Sequence, residues 1–471
     1  MKNVPGPKSL SLVLLSPLLL FAGVVTSSSQ DSVDKSAHPS ESAITSWLTK
    51  NAIPLKSVEP GQGFQDLKAV KRILRNVRVV GLGEATHGSH EFFQFKHCMT
   101  EFLVREMGFT LFAIEASYPA SLAINDYVLY GKGDRDKAIT NQGLWAWDTA
   151  EMTDLVEWMR KYNQTAPVGR RVKFVGFDMH NSEQAMDAII PFLKKVAPDK
   201  VAPIENVFKP LRPTELGRQH FEYANVSARD KADTLLRIDA LIGYLFLNQT
   251  RFIRLSSAQE FEQATEMARI VAEFADVYNR PDSDSYFPGN SRGATRDRYM
   301  AENIERAISA AEPNTRAIVW AHNDHIGCYK FGMGANLRKV YGEGYYALGT
   351  SFNEGGYQAR ELSREYTVGP LAEFSIGPAP AGTINWYLAR PGIDNYLIDF
   401  RYSTKSPVVA EWLETAHPMR SIGLGAARNG PESLLPTSLK DQFDGIAFIE
   451  KTTRAHPNPT GFRGPWIIKS T

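Results

Sequence analysis

Short apolar runs that stop at acidic residues or histidines, each answered by helical periodicity or a polar cluster, recur along this chain. Val79-Val80-Gly81-Leu82 gives way to Gly83, Glu84, His87 and His90, and after Glu91 the residues Phe92, Phe95, Cys98, Met99, Phe102 and Leu103 share one helical face. Thr110 to Ile114 ends at Glu115, with a helix predicted over Leu122 to Tyr130. Arg171 to Phe177 ends at Asp178-Met179-His180, and Ser182 opens another helical pattern. Strand followed by helix, repeated, predicts an α/β fold: a mostly parallel sheet flanked by helices. In such sheets ligands bind at the carboxyl ends of the strands.

A later run, Ala317 to Ala321, ends in His322-Asn323-Asp324-His325. Five of the ten histidines lie in or just after this segment and the one at 79–91. Between them, residues 214–280 carry long helical patterns and no strand, which predicts an inserted helical hairpin. Further strands are expected at Tyr345 to Phe352, Tyr396 to Phe400, Ser421 to Gly425 and Phe443 to Glu450.

The chain has 53 basic and 52 acidic residues and no basic tract, so nucleic acid is not an expected partner. Lys2 and Lys8 precede an apolar stretch from Leu10 to Val25 and then Thr26-Ser27-Ser28-Ser29, the pattern of a secretory signal peptide over residues 1–28. The expected mature domain, 29–471, is therefore periplasmic or secreted, with no stable membrane insertion once the leader is removed. Cys98 and Cys328 are the only cysteines: in an exported protein they could pair, or both could be small buried side chains.

Several ordered markers resemble the erythromycin esterase family: Gly83-Glu84-Ala85-Thr86-His87-Gly88, Glu91-Phe92-Phe93, Phe112-Ala113-Ile114-Glu115, Trp147-Asp148-Thr149, Arg296-Asp297 with Met300 and Asn303, and His322-Asn323-Asp324-His325. The resemblance implies a hydrolase of a small-molecule carboxylic ester or lactone, since some relatives open macrolide rings. It implies no cofactor, and it implies that Glu84, His87, Glu115 and His322 are functional with His325 close by. Lys96 stands where some members carry arginine, to hold substrate or a carboxylate. Arg296, Asp297 and Asn303 are expected as wall or supporting residues. Asp148 and Asp324 depart from the pattern, where asparagine and a small residue are expected.

Ester hydrolysis without a covalent intermediate needs a base for water and a donor for the developing oxyanion. His87, in a glycine-rich turn after a strand, suits the first role, with Glu84 or Glu115 to fix its tautomer. His322 and His325 suit the second, or one of them protonates the leaving alcohol, and Asp324 beside them should raise their pKa values. Trp145 and Trp147 are candidates for an apolar substrate wall. The alternative reading is a metal- or haem-binding protein, or a metal-assisted hydrolase, using the same histidines and carboxylates. Gly289-Asn290-Ser291-Arg292-Gly293 matches a serine-hydrolase elbow only in letters, because turn-forming residues precede it, and Ser291 is expected in a loop or cap.

Overall fold

The computed structural model describes residues 39–459 apart from 215–218, 282–288, 363–367, 402–403 and 428–432. The expected leader, residues 1–28, lies outside the described residues, as does most of the turn-rich stretch before Ser291. No helix among the described residues is long and apolar enough to cross a membrane.

The strands are β1 (Ile53–Pro54), β2 (Val79–Leu82), β3 (Leu111–Ser117), β4 (Lys173–Asp178), β5 (Ala317–Trp320), β6 (Tyr345–Leu362), β7 (Val368–Ile376), β8 (Asn395–Asp399), β9 (His417–Arg420), β10 (Gly425–Ala427), β11 (Leu434–Thr437) and β12 (Gly445–Thr452). Ten of them form one sheet, ordered β1-β8-β12-β6-β2-β5-β3-β4, with β7 and β10 also paired to β6. From β12 to β4 every neighbour is parallel, and β1, β7 and β8 add antiparallel pairings. The α/β architecture is thus a mostly parallel sheet with helices on both faces.

Alternation along the central strands explains the two cores. Val79, Leu111, Ala113, Ala317 and Val319 face one core, while Val80, Phe112, Ile114, Ile318 and Trp320 face the other. Side chains of period two, apolar on both faces, are what a strand covered on both sides requires. The helices Ala228–Leu247 and Ala258–Asn279 bury Ile238, Leu241, Leu245, Phe261, Val271 and Phe274 in the first core, continuous with the sheet.

Some expectations need correction. Ser421 and Ile422 do not start a strand: Ile422 makes a single bridge to Thr86, and the strand follows at Gly425–Ala427. β6 runs ten residues beyond Phe352, because its far half pairs with β7 and β10. Of the two readings of Cys98 and Cys328 the unpaired one holds: both are free, and they pack with cores on opposite faces of the sheet.

Candidate active site

The site forms where β2, β5 and β3 end side by side. Leu82 is in register with Trp320, and Trp320 with Ile114, so the residues that follow, Glu84, His322 and Glu115, emerge together. The backbone after β2 can pass here only because two residues lack side chains. A Cβ on Gly83 would stand 2.3 Å from Asn323 Oδ1, and one on Gly88 would stand 1.9 Å from the Gln358 carbonyl oxygen. Those contacts hold the turn carrying His87.

Glu84 is wholly buried and fully engaged. His87 Nδ1 donates to its Oε1 at 2.7 Å, while Lys96 Nζ and Trp320 Nε1 donate to its Oε2 at 2.5 and 2.9 Å. Burial pushes the carboxyl toward its neutral form, but Lys96 and His87 overcome it and hold the pKa below the usual carboxylate range. Burial also brings Lys96 down to about 8, against the pull of Glu84. With Nδ1 committed to Glu84, His87 keeps Nε2 for proton transfer. Its ring centroid lies 4.9 Å from that of His322.

Glu115 organises the other side. Its Oε1 accepts from Arg296 Nη2 at 2.9 Å and lies 3.2 Å from His325 Nε2, and its Oε2 accepts the His322 backbone N–H at 3.1 Å. Against burial, His325 and Arg296 hold this carboxyl well below its ordinary pKa. Arg296 reaches on to Asp178, Nη2 to Oδ2 at 2.5 Å, and Asp178 accepts from His180 Nδ1 at 2.7 Å. His325 Nδ1 is 2.8 Å from Asp297 Oδ1, close enough for an ion pair though poorly aligned for a hydrogen bond. Burial disfavours its imidazolium, yet Asp297 and Glu115 together raise its pKa well above the ordinary histidine value.

His322 caps a short helix. In the neutral ring Nδ1 accepts from the Asp324 N–H at 3.3 Å, and in the protonated ring the same nitrogen faces Asp324 Oδ2 at 3.4 Å, while Nε2 stands 3.2 Å from the Ile422 carbonyl. Burial opposes protonation here too, and the Asp324 carboxylate outweighs it and raises the pKa. The extra carboxylate between the histidines acts chiefly on His322 and also interacts with His325, whose raised pKa comes mainly from Asp297 and Glu115. Ser421 Oγ, 3.1 and 3.0 Å from the two Asp324 oxygens, fixes that side chain.

His87, Glu84, Glu115, His322, His325 and Arg296 therefore form one contiguous constellation. Four other candidate residues are buried side chains. Lys96 is wholly buried and grips Glu84 and the Ala321 carbonyl, so it holds a carboxylate rather than a substrate. Trp145 and Trp147 are buried in the core, and Trp147 Nε1 donates to the Glu115 carbonyl at 2.8 Å, so neither is an exposed wall. Asn303 donates to the Phe177 carbonyl and to Glu273, tying β4 to the helix Ala258–Asn279, away from the histidines. Asp148 binds Asn458 near the end of the described chain.

Three contributors were missed from sequence: Asp178 and His180, which the strand ending Phe177-Asp178-Met179-His180 did signal, and Trp320, which looks like any apolar strand residue. The alternative of a metal bound by these same residues does not match their arrangement. Among the described residues the His and carboxylate trio whose ligand atoms lie within 4.8 Å of one another is a different one, His90, Glu151 and His456.

A buried carboxylate steering an imidazole, opposite two more imidazoles and an arginine at the carboxyl edge of a parallel sheet, defines a hydrolase-type site on an α/β scaffold. The erythromycin esterase profile matches residues 104–452, and the chain belongs to that family. It is 22% identical over 432 residues to erythromycin esterase type II from Escherichia coli, covering 86% of this chain and 97% of that one. Its fold matches that of a succinoglycan biosynthesis protein with TM-score 0.74 and 26% identity, over 89% of this chain and 99% of the other. It also matches a mutant of the erythromycin esterase EreC in its open conformation, with TM-score 0.66 and 16% identity, over 84% and 96% of the two chains.

Proposed function

We propose that this protein hydrolyses a carboxylic ester or lactone by direct attack of water, with no acyl-enzyme. The observation that carries the reading is the Glu84 to His87 contact of 2.7 Å, which leaves Nε2 to take a proton in a site shared with His322. Water oxygen attacks the acyl carbon as His87 Nε2 accepts its proton, and the carbonyl electrons move to oxygen. The cationic side, His325 with Arg296 and a protonated His322, stabilises that oxyanion. Collapse expels the alkoxide, which takes the proton from His87, so ester and water yield acid and alcohol.

Membership of the family supports a macrolide lactone as the first substrate to test, and the likeness to a succinoglycan biosynthesis protein supports an acylated saccharide as the second. The amino-terminal pattern supports export to the periplasm or beyond, with cleavage near residue 28. Purified protein incubated with macrolides, simple aryl esters and acylated saccharides, and read by mass, should convert one class with gain of one water. His87→Ala should lower that turnover by roughly 10²- to 10⁴-fold with an unchanged far-ultraviolet spectrum. Undiminished turnover in the variant would remove His87 as the base.

A further inference from the structure

A second cluster of chemically capable side chains lies beside the first motif and has no part in the proposed hydrolysis. His90 opens the helix His90–Met107, Glu151 lies in the first turn of Ala150–Thr165, and His456 comes from the segment after β12. Both rings aim Nδ1 at one oxygen: His90 Nδ1 is 2.6 Å and His456 Nδ1 2.8 Å from Glu151 Oε1. The ring centroids are 5.0 Å apart, and Glu59 Oε1 lies 3.8 Å from the opposite nitrogen of His90. Glu151 is buried, His90 partly so, and His456 is exposed, which leaves a path for an ion.

The structure assigns to these residues a binding site for a divalent transition ion of the zinc type, held by His90 Nδ1, His456 Nδ1 and Glu151. Two imidazoles and a carboxylate are a zinc donor set, and tetrahedral donors at ~2.1 Å from the ion stand roughly 3.4 Å apart, so small ring rotations convert the present contacts into ligation. Glu59, 3.8 Å from His90 Nε2 and just beyond hydrogen-bond distance, is near enough to become the outer carboxylate of a metal-bound imidazole. Oxygen-preferring ions such as magnesium have no reason to choose two imidazoles.

The ion would tie the carboxyl-terminal segment to the motif loop. Residues 453–458 already lie along that loop: Ala455 N–H donates to the Gly88 carbonyl at 2.9 Å, Ala150 N–H to the His456 carbonyl at 2.8 Å, and Ser89 bridges to Arg454. Metal bound at His456 therefore stabilises the turn next to His87 without touching it.

The test uses full-length protein stripped with a chelator and titrated calorimetrically with zinc at near-neutral pH, alongside His456→Ala and His90→Gln. One zinc per chain, a melting temperature raised by a few degrees by zinc but not by magnesium, and loss of both effects in both variants are the expected results. His456 is exposed, so His456→Ala should fold like the parent and melt with it when no metal is present. Zinc binding of equal stoichiometry and affinity in His456→Ala, an equal response to magnesium, or less than one zinc per parent chain would overturn the assignment.

Discussion

Lys96 Nζ and Glu84 Oε2 meet at 2.5 Å with neither side chain exposed to solvent. Lys96 also lies 4.5 Å from the centre of the Trp320 ring, whose Nε1 donates to the same carboxylate oxygen. The ionised form of Glu84 is thus secured by a cation that solvent cannot screen, and the orientation of His87 depends on it.

Removing one partner leaves the other charge buried and alone. Lys96→Met should destabilise the protein by roughly 3–5 kcal/mol in urea denaturation, and the double variant Glu84→Gln with Lys96→Met should recover part of that loss. Lys96→Met should also lower kcat, because an unpaired Glu84 takes up a proton and no longer accepts from His87. Unchanged stability in the single variant would mean that the pair carries no weight.

Asp324 raises the pKa of His322, and the proposed oxyanion stabilisation uses the protonated ring. Neutralising that carboxylate removes the support, so the imidazolium loses its proton at lower pH. Asp324→Asn should therefore shift the alkaline limb of the kcat profile to lower pH while leaving KM at the acidic side nearly unchanged. An unmoved limb would take His322 out of the protonated role.

Gly88 meets the backbone of β6 so closely that a methyl group at this position has nowhere to go. Gly88→Ala should cost about 1–3 kcal/mol or more of stability and depress turnover further, because the displaced residue adjoins His87. A melting curve and kcat for the same preparation check both. Gly133, with nothing within 4 Å of its would-be Cβ but φ at +90°, is the useful comparison: alanine there is strained locally and should spare turnover.

Glu273 is buried beside Arg306 and Asn303, and burial raises its pKa to about 7 despite the arginine. The folded chain therefore holds a proton up to about 7 that the unfolded chain releases near 4.5, so this group's contribution to stability falls as pH rises through that window. Glu273→Gln, which imitates the protonated form, should flatten the decline between those pH values by about 2–3 kcal/mol. Urea midpoints across the window read it directly. An identical slope in parent and variant would show that the burial is not felt.

The strand ends were legible because Glu84, Glu115 and His322 break apolar runs with groups that a core accepts only when they are paired, so each catalytic candidate announced itself as an interruption. What the sequence concealed was burial of the charged partner. Lys96 sits in a helix whose residues from Phe92 to Val104 are nearly all enclosed, and a lysine there resembles a solvated side chain until its carboxylate is known. The tryptophans after Leu144 looked loop-bound and open, yet Trp147 spends its N–H on the Glu115 carbonyl. Asn303 lies near Arg296 along one helix, but the two point to different partners, which spacing alone does not reveal. The roles of Ser421 and Ile422 had no local signal, since they depend on long-range contacts, with Asp324 for the first and with Thr86 for the second.

β5 lies between β2 and β3, although some two hundred residues of chain separate it from β3. During synthesis the first two of these strands emerge long before the one that belongs between them, and each must wait with an unpaired edge. A nascent chain ending short of Ala317 has a slot in its sheet and no His322, so such fragments should be captured by chaperones or aggregate rather than act as partial enzymes. The order of translation makes assembly of the chemistry coincide with closure of the sheet.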